Sequence, residues 1–111
     1  MNGFTYHELH TPNPEKAIGF YGELLGFKYE KAQSPMPYWT QKDVGGGLMN
    51  DERPHWLPYI TVDDVSARAK QAEKLGGKVL QPPTPIPNVG EYAVLADPQG
   101  AVFAIWKEAR V

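Results

Sequence analysis

The feature that most constrains this chain is an internal repeat. A shift of 50 positions lays Asn13 on Asp63, Ala17 on Ala67, Leu25 on Leu75, Gly26 on Gly76 and Lys28 on Lys78. The matches fall on a helix cap, a helix interior and a helix stop, so they share a structural reason. In each half a strand precedes that helix and three short strands follow it. The sequence therefore reads as two βαβββ modules, about residues 1–52 and 53–111. Four strands and one helix bury little alone, so the two modules are expected to share a core as a single domain.

Local signals support each element. In FTYHELHT, residues 4–11, alternation puts Tyr6, Glu8 and His10 on one face and Thr5, His7, Leu9 and Thr11 on the other. Asn13 has the chemistry of an N-cap, with Pro14 at the first helical position and Glu15 in the first turn. Ala17, Phe20, Tyr21, Leu24 and Leu25 form a helical stripe, and Gly26 follows as a stop, which predicts a helix over 14–25. Strands are expected at 27–32, 38–41 and 44–49, with a turn at SPMP, residues 34–37. In the second half a strand is expected at 56–62, with Pro58 placing it at an edge or near a strand end. Asp63 or Asp64 then caps a helix carrying Val65, Ala69, Ala72 and Leu75, stopped by Gly76-Gly77. Strands follow at 78–81, 91–96 and 101–106, with the proline-rich stretch 82–90 read as a stiff loop at a pocket rim or in solvent.

Composition narrows the function classes. Eleven lysines and arginines against thirteen acids give a net charge of −2, and the basic residues are scattered, which argues against nucleic-acid or anionic-membrane partners. With no cysteine there are no disulfides and no thiolate metal sites. No apolar run approaches membrane-spanning length and no secretory signal is visible, so a cytoplasmic location is expected. Gly45-Gly46-Gly47 is not a phosphate loop, because no lysine follows it and no helix starts behind it.

The repeat, together with ELHTPNPEKAIGFYGELLGF, PYITVDDVSARAKQAEKLGGKVL and VLADPQGAVFAIW, resembles the vicinal oxygen chelate superfamily of glyoxalase I, bleomycin-resistance proteins and extradiol dioxygenases. The resemblance covers essentially the whole chain. It implies an α+β fold in which paired βαβββ modules form a cupped, eight-stranded mixed sheet with helices outside and a concave pocket inside. It also implies a homodimer. In the metalloenzymes of that superfamily, His, Gln, Glu or Asp side chains on the first and last strand of each module hold a divalent cation. Counting from the Phe20-Tyr21 pair, Gly26, Val62, Gly76 and the DPQG turn places those ligand positions on Tyr6, Gly47, Leu57 and Ala104. Three of the four offer no side-chain donor, so no cofactor is expected at the superfamily's metal position.

Two residues beyond Tyr6 and two beyond that, Glu8 and His10 share its face. Glu8 is a candidate general base and His10 a candidate acid or base, on the expectation of a partly desolvated cup where proton affinities move. They are also possible ligands of a displaced divalent cation, with His55 as a third donor. By the same parity Tyr59, Thr61 and Trp106 join Tyr6, Glu8, His10, Gly47, Leu57 and Ala104 in a small-molecule pocket, with Trp39 and Tyr38 as neighbours of unfixed parity. Gly47 and Ala104 are read as room for the ligand. The expected function is binding of a small organic molecule without the usual metal. The alternatives are a lyase, isomerase or dioxygenase-like enzyme using Glu8 and His10, and an interaction module whose cup is closed.

Overall fold

A computed structural model describes residues 3–33, 37–41 and 45–109. Most of the SPMP turn, and Val44 of the third expected strand, lie outside the described residues. In chain order the elements are β1 (Phe4–Thr11), α1 (Pro14–Leu25), β2 (Tyr29–Lys31), β3 (Tyr38–Gln41), β4 (Gly46–Asn50), β5 (His55–Thr61), α2 (Val65–Lys74), β6 (Lys78–Ile86), β7 (Gly90–Ala96) and β8 (Val102–Glu108). The expected α+β class and the doubled βαβββ order are both present. The chain forms two compact units. The first runs over Tyr6–Leu57, and the second from Pro58 onward together with the start of β1.

The two units repeat one topology. The first has the strand order β2-β3-β4-β1 and the second β6-β7-β8-β5. In each, the first strand pairs parallel with the last, and the other pairings are antiparallel, so the strands are mixed.

Both helices begin and end on the signals seen in the sequence. Asn13 Oδ1 accepts the Lys16 amide at 3.1 Å, and α1 ends at Gly26, whose φ of 73° only glycine adopts readily. Asp64, rather than the Asp63 that the 50-residue shift aligns with Asn13, caps α2 by accepting the Ala67 amide at 3.0 Å. Asp63 instead takes the Arg68 guanidinium at 3.1 Å, which holds its carboxyl below the usual range.

The prolines of the 82–90 stretch do not make a free loop. β6 continues through Pro82, Pro83 and Pro85 to Ile86, pairing with β7 alone within its unit. An end strand tolerates residues that lack an N–H, and two register shifts, between Val79 and Gln81 and between Gln81 and Thr84, absorb them. The connection that remains is the short turn at Pro87, Asn88 and Val89, closed by the Val89 amide on the Ile86 carbonyl at 2.9 Å.

The second unit has a dry core. Val65 and Ala69 of α2 pack with Val62, Ala93, Leu95 and Ile105, flanked by Ile60, Ala72, Val79 and Phe103. In the first unit Leu9, Leu48 and Leu57 are buried, but no residue of α1 is, and Phe20 and Leu24 stay largely exposed.

Candidate functional site

The register of the first unit gathers the chemistry onto one sheet face. Glu8 pairs with Gly47 and His10 with Met49 in the β1–β4 ladder, while Tyr38 pairs with Met49 in the β3–β4 ladder. Side chains opposite one another across a ladder point to the same side. Tyr6, Glu8, His10 and Tyr38 therefore converge above Gly47.

They form one chain of hydrogen bonds. Tyr38 donates its hydroxyl hydrogen to Glu8 Oε2 at 2.7 Å. That hydrogen is then committed, so the hydrogen bond between the two phenols runs from Tyr6 to the Tyr38 oxygen. The other carboxylate oxygen, Glu8 Oε1, accepts from His10 Nε2 at 2.7 Å. On its far side the His10 Nδ1 lies 3.0 Å from Asp51 Oδ2. Glu8 and His10 are 6% and 8% exposed, so these are buried polar groups held by partners rather than by water.

The electrostatics follow from the order of the groups. Burial pulls the proton affinity of His10 down, but hydrogen bonds to Glu8 and Asp51, and the negative charge of both, outweigh it and raise the pKa above the ordinary histidine value. An imidazolium satisfies both flanking carboxylates, each ring nitrogen donating to one. Asp51 is held below the usual carboxylate range by the Arg53 amide and then by His10. Burial, followed by the nearby Glu8 charge, pushes the Tyr38 phenol far above its ordinary value. Burial also raises Tyr6, against a smaller opposing effect of the Tyr38 hydrogen bond. Both phenols are therefore proton donors at neutral pH.

A second cluster shares His10. The His55 ring stacks on it, with centroids 4.5 Å apart and planes at 28°. One donor atom each from His10, Asp51 and His55 lies within 4.8 Å of the others. His10 is buried, and Asp51 and His55 are partly exposed.

Several sequence expectations change here. Gly47 does not leave room for a ligand, because a Cβ there would run into the Tyr38 and Tyr6 hydroxyls that fill the space. Trp39 lies on the opposite face from Tyr38, pairing with Leu48 and sitting under the Lys31 ammonium, which is 5.8 Å from the ring centroid. Leu57 is buried in the first unit. In the second unit Tyr59 pairs with Ala104, and Thr61 with Trp106, on the sheet face opposite the Ile60 and Ile105 core residues. Ala104 is fully buried, and Thr61 Oγ1 lies 2.7 Å from Thr5 Oγ1. His7, on the other face of β1, lines an apolar cavity of about 430 Å³ with Tyr21, Leu25, Phe27, Gln41, Gly45 and Trp56, away from Glu8. Tyr38 had unfixed parity in the sequence, and Asp51 lies between the strands expected at 44–49 and 56–62. A carboxylate just past the end of β4 is the signal that could have marked Asp51.

The cation positions implied by the superfamily resemblance can be tested on these side chains. The Tyr6 hydroxyl is committed to Tyr38, Gly47 has no donor, and Leu57 and Ala104 bury hydrocarbon. This set does not fit a divalent cation.

Paired βαβββ units with these strand orders define a vicinal oxygen chelate fold. The chain belongs to the Glyoxalase-like domain family, which matches residues 7–106. It is 37% identical over 113 aligned residues to CFP32 of Mycobacterium tuberculosis (strain CDC 1551 / Oshkosh), provisionally named a glyoxylase, covering 94% of this chain and 43% of that one. The chain thus spans less than half the length of this curated relative. Among solved structures, hypothetical protein BH1468 from Bacillus halodurans C-125 superposes with a TM-score of 0.73 at 13% identity, over 99% of this chain and 96% of that one. A Streptomyces coelicolor methylmalonyl-CoA epimerase variant in complex with 2-nitronate-propionyl-CoA superposes with a TM-score of 0.69 at 15% identity, over 96% and 97%. At such identities the likeness establishes the fold. No helix among the described residues is long and apolar enough to cross a membrane.

Proposed function

We propose that this chain is a small-molecule-binding protein of the glyoxalase type that works without a cation at the superfamily's ligand positions. The observation that carries the reading is the relay Tyr6–Tyr38–Glu8–His10, part-buried at the phenols and buried at Glu8 and His10. Two phenolic hydroxyls occupy the space above Gly47, Tyr6 donating to Tyr38 and Tyr38 to the Glu8 carboxylate. A few oriented polar groups set among less polar side chains are what a small-molecule site requires. Tyr6, Glu8, His10 and Tyr38 are its polar members. Leu57 is proposed as an apolar neighbour in the same unit, and Tyr59, Thr61, Ala104 and Trp106 are proposed separately as ligand-facing residues of the second unit. The chain is proposed to work as a homodimer in the cytoplasm, and the exposed Phe20 and Leu24 of α1 support self-association.

A second reading is favoured by the pairing of Glu8 with His10. A carboxylate flanked by an imidazolium and a phenol holds a proton acceptor between two donors, the arrangement of an isomerase or lyase that removes a proton from carbon and returns it. The epimerase among the structural neighbours binds an acyl-CoA analogue, so thioesters belong in the ligand screen. The test is a nuclear magnetic resonance screen of small carboxylates, carbonyl compounds and thioesters. Hits are expected to shift resonances of Tyr6, Tyr38, Glu8 and His10, and to weaken with Glu8→Gln and Tyr38→Phe. Hits indifferent to both substitutions would refute the site. Exchange of a ligand carbon-bound hydrogen with deuterated solvent, abolished by Glu8→Gln, would select the enzymatic reading.

A further inference from the structure

We propose that His10, Asp51 and His55 form a divalent transition-metal site displaced from the positions the superfamily uses. The inference stands apart from the small-molecule reading and rests on how each of the three side chains is held.

Each member has one polar atom held by a hydrogen bond, and one ligand atom of each lies within 4.8 Å of the others. His10 has its Nε2 on the Glu8 carboxylate at 2.7 Å, which turns Nδ1 toward Asp51, and a bound cation takes the place of the Nδ1 proton, which is released to solvent. His55 donates its Nδ1 to the Arg53 carbonyl at 2.8 Å, which leaves the lone pair on Nε2. Asp51 accepts the Arg53 amide on Oδ1 at 3.0 Å, which leaves Oδ2 facing His10. A carboxylate or backbone carbonyl on the far nitrogen is how metal-binding histidines are oriented, and here both rings have one.

The spacing is near what an ion requires. Two ligands on one tetrahedral cation stand roughly 3.3 Å apart. The His10 and Asp51 atoms are 3.0 Å apart, and no pair in the set exceeds 4.8 Å. The partly exposed His55 is the member with freedom to close the difference. Exposure on the Asp51 and His55 side gives the ion an entry path, while Glu8 closes the other side.

Two imidazoles and one carboxylate select borderline divalent ions such as zinc, cobalt, nickel or iron over magnesium or calcium. Three protein donors leave coordination positions open to water or to a ligand oxygen. Glu8 then does two things: it orients a metal-binding ring on one oxygen and accepts the Tyr38 hydroxyl on the other.

The test uses the tag-free, chelator-stripped chain of residues 1–111 titrated with cobalt(II), followed by visible absorption and by elemental analysis after dialysis, with zinc as competitor. One cobalt per chain is expected, displaced by one zinc. Asp51→Asn and His55→Ala are each expected to weaken binding tenfold or more. Glu8→Gln is expected to weaken it by roughly 10–100-fold through loss of ring orientation, with circular dichroism confirming the fold. His7→Ala, a histidine on the opposite face of the same strand, is expected to change nothing. Absence of stoichiometric cobalt, or binding that ignores both Asp51→Asn and His55→Ala, would overturn the proposal. Because no organic ligand enters the measurement, its failure is separate from failure of the small-molecule reading.

Discussion

The two βαβββ units have the same strand order, and each helix has a side-chain N-cap and a left-handed glycine at its end, yet they bury different things. The second unit buries Val65, Ala69, Ala93, Leu95 and Ile105 under α2. The first buries Glu8 and His10 on one sheet face and Leu9 and Leu48 on the other, and leaves α1 with no buried residue. One copy of the duplicated module supplies a hydrocarbon core, and the other holds the polar chemistry. Burying a carboxylate and an imidazole is costly unless each is paired, and here the pairing is complete on both oxygens and both nitrogens.

The largest effect that can break this contrast is expected at His10. His10→Ala leaves the buried Glu8 with one partner fewer and is expected to cost about 3–5 kcal/mol in urea unfolding. A cost below that of an ordinary surface substitution would mean that the first unit does not depend on its polar pairs. The same residue sets a pH signature in metal-stripped protein. Folded His10 holds its proton more tightly than an unfolded histidine, so its contribution is complete below the ordinary value of 6.5 and is lost as pH climbs through the raised folded value. Stability of the parent chain should fall across that window, and the slope should flatten in His10→Ala.

A smaller effect sharpens the comparison at equivalent positions. Gly47→Ala drives a methyl into the Tyr6 and Tyr38 hydroxyls and is expected to cost roughly 1–3 kcal/mol. Its counterpart in the second unit, Ala104, already carries that methyl in a dry setting. Ala104→Gly should cost only about 0.5–1 kcal/mol, through backbone freedom. If the two changes cost the same, the space above Gly47 is not specifically shaped for the phenols.

The smallest effects should show no contrast at all. Asn13→Ala and Asp64→Ala each remove one cap and are expected to cost about 1 kcal/mol apiece by thermal unfolding. A difference of more than a factor of two would show that the scaffolds, as well as their contents, have diverged.

What could be read from the residues alone follows the range of the forces involved. The helix at Pro14–Leu25 was legible to the residue, because cap, proline, stripe and stop are local signals. So was the face shared by Tyr6, Glu8 and His10, because it depends only on alternation along one strand. The cap of α2 shifted by one residue from the repeat alignment, since Asp63 and Asp64 carry the same chemistry and only the position of Arg68 separates them. The prolines of β6 suggested a loop because a missing N–H matters only where a neighbour would use it, and that depends on which strand ends the sheet. Tyr38 and Asp51 were the hardest to place. Their roles depend on contacts with β1 across 30 and 41 residues, which no local pattern encodes. The same ignorance made Gly47 look empty when two phenols fill it.

The most direct measurement is anomalous diffraction at the cobalt edge from a crystal grown with one equivalent of cobalt(II). A single peak is expected among His10, Asp51 and His55, with none at Tyr6, Gly47, Leu57 or Ala104. A peak at the latter positions, or none near His10, would contradict the assignment of this chain's donor atoms to the first unit's polar cluster.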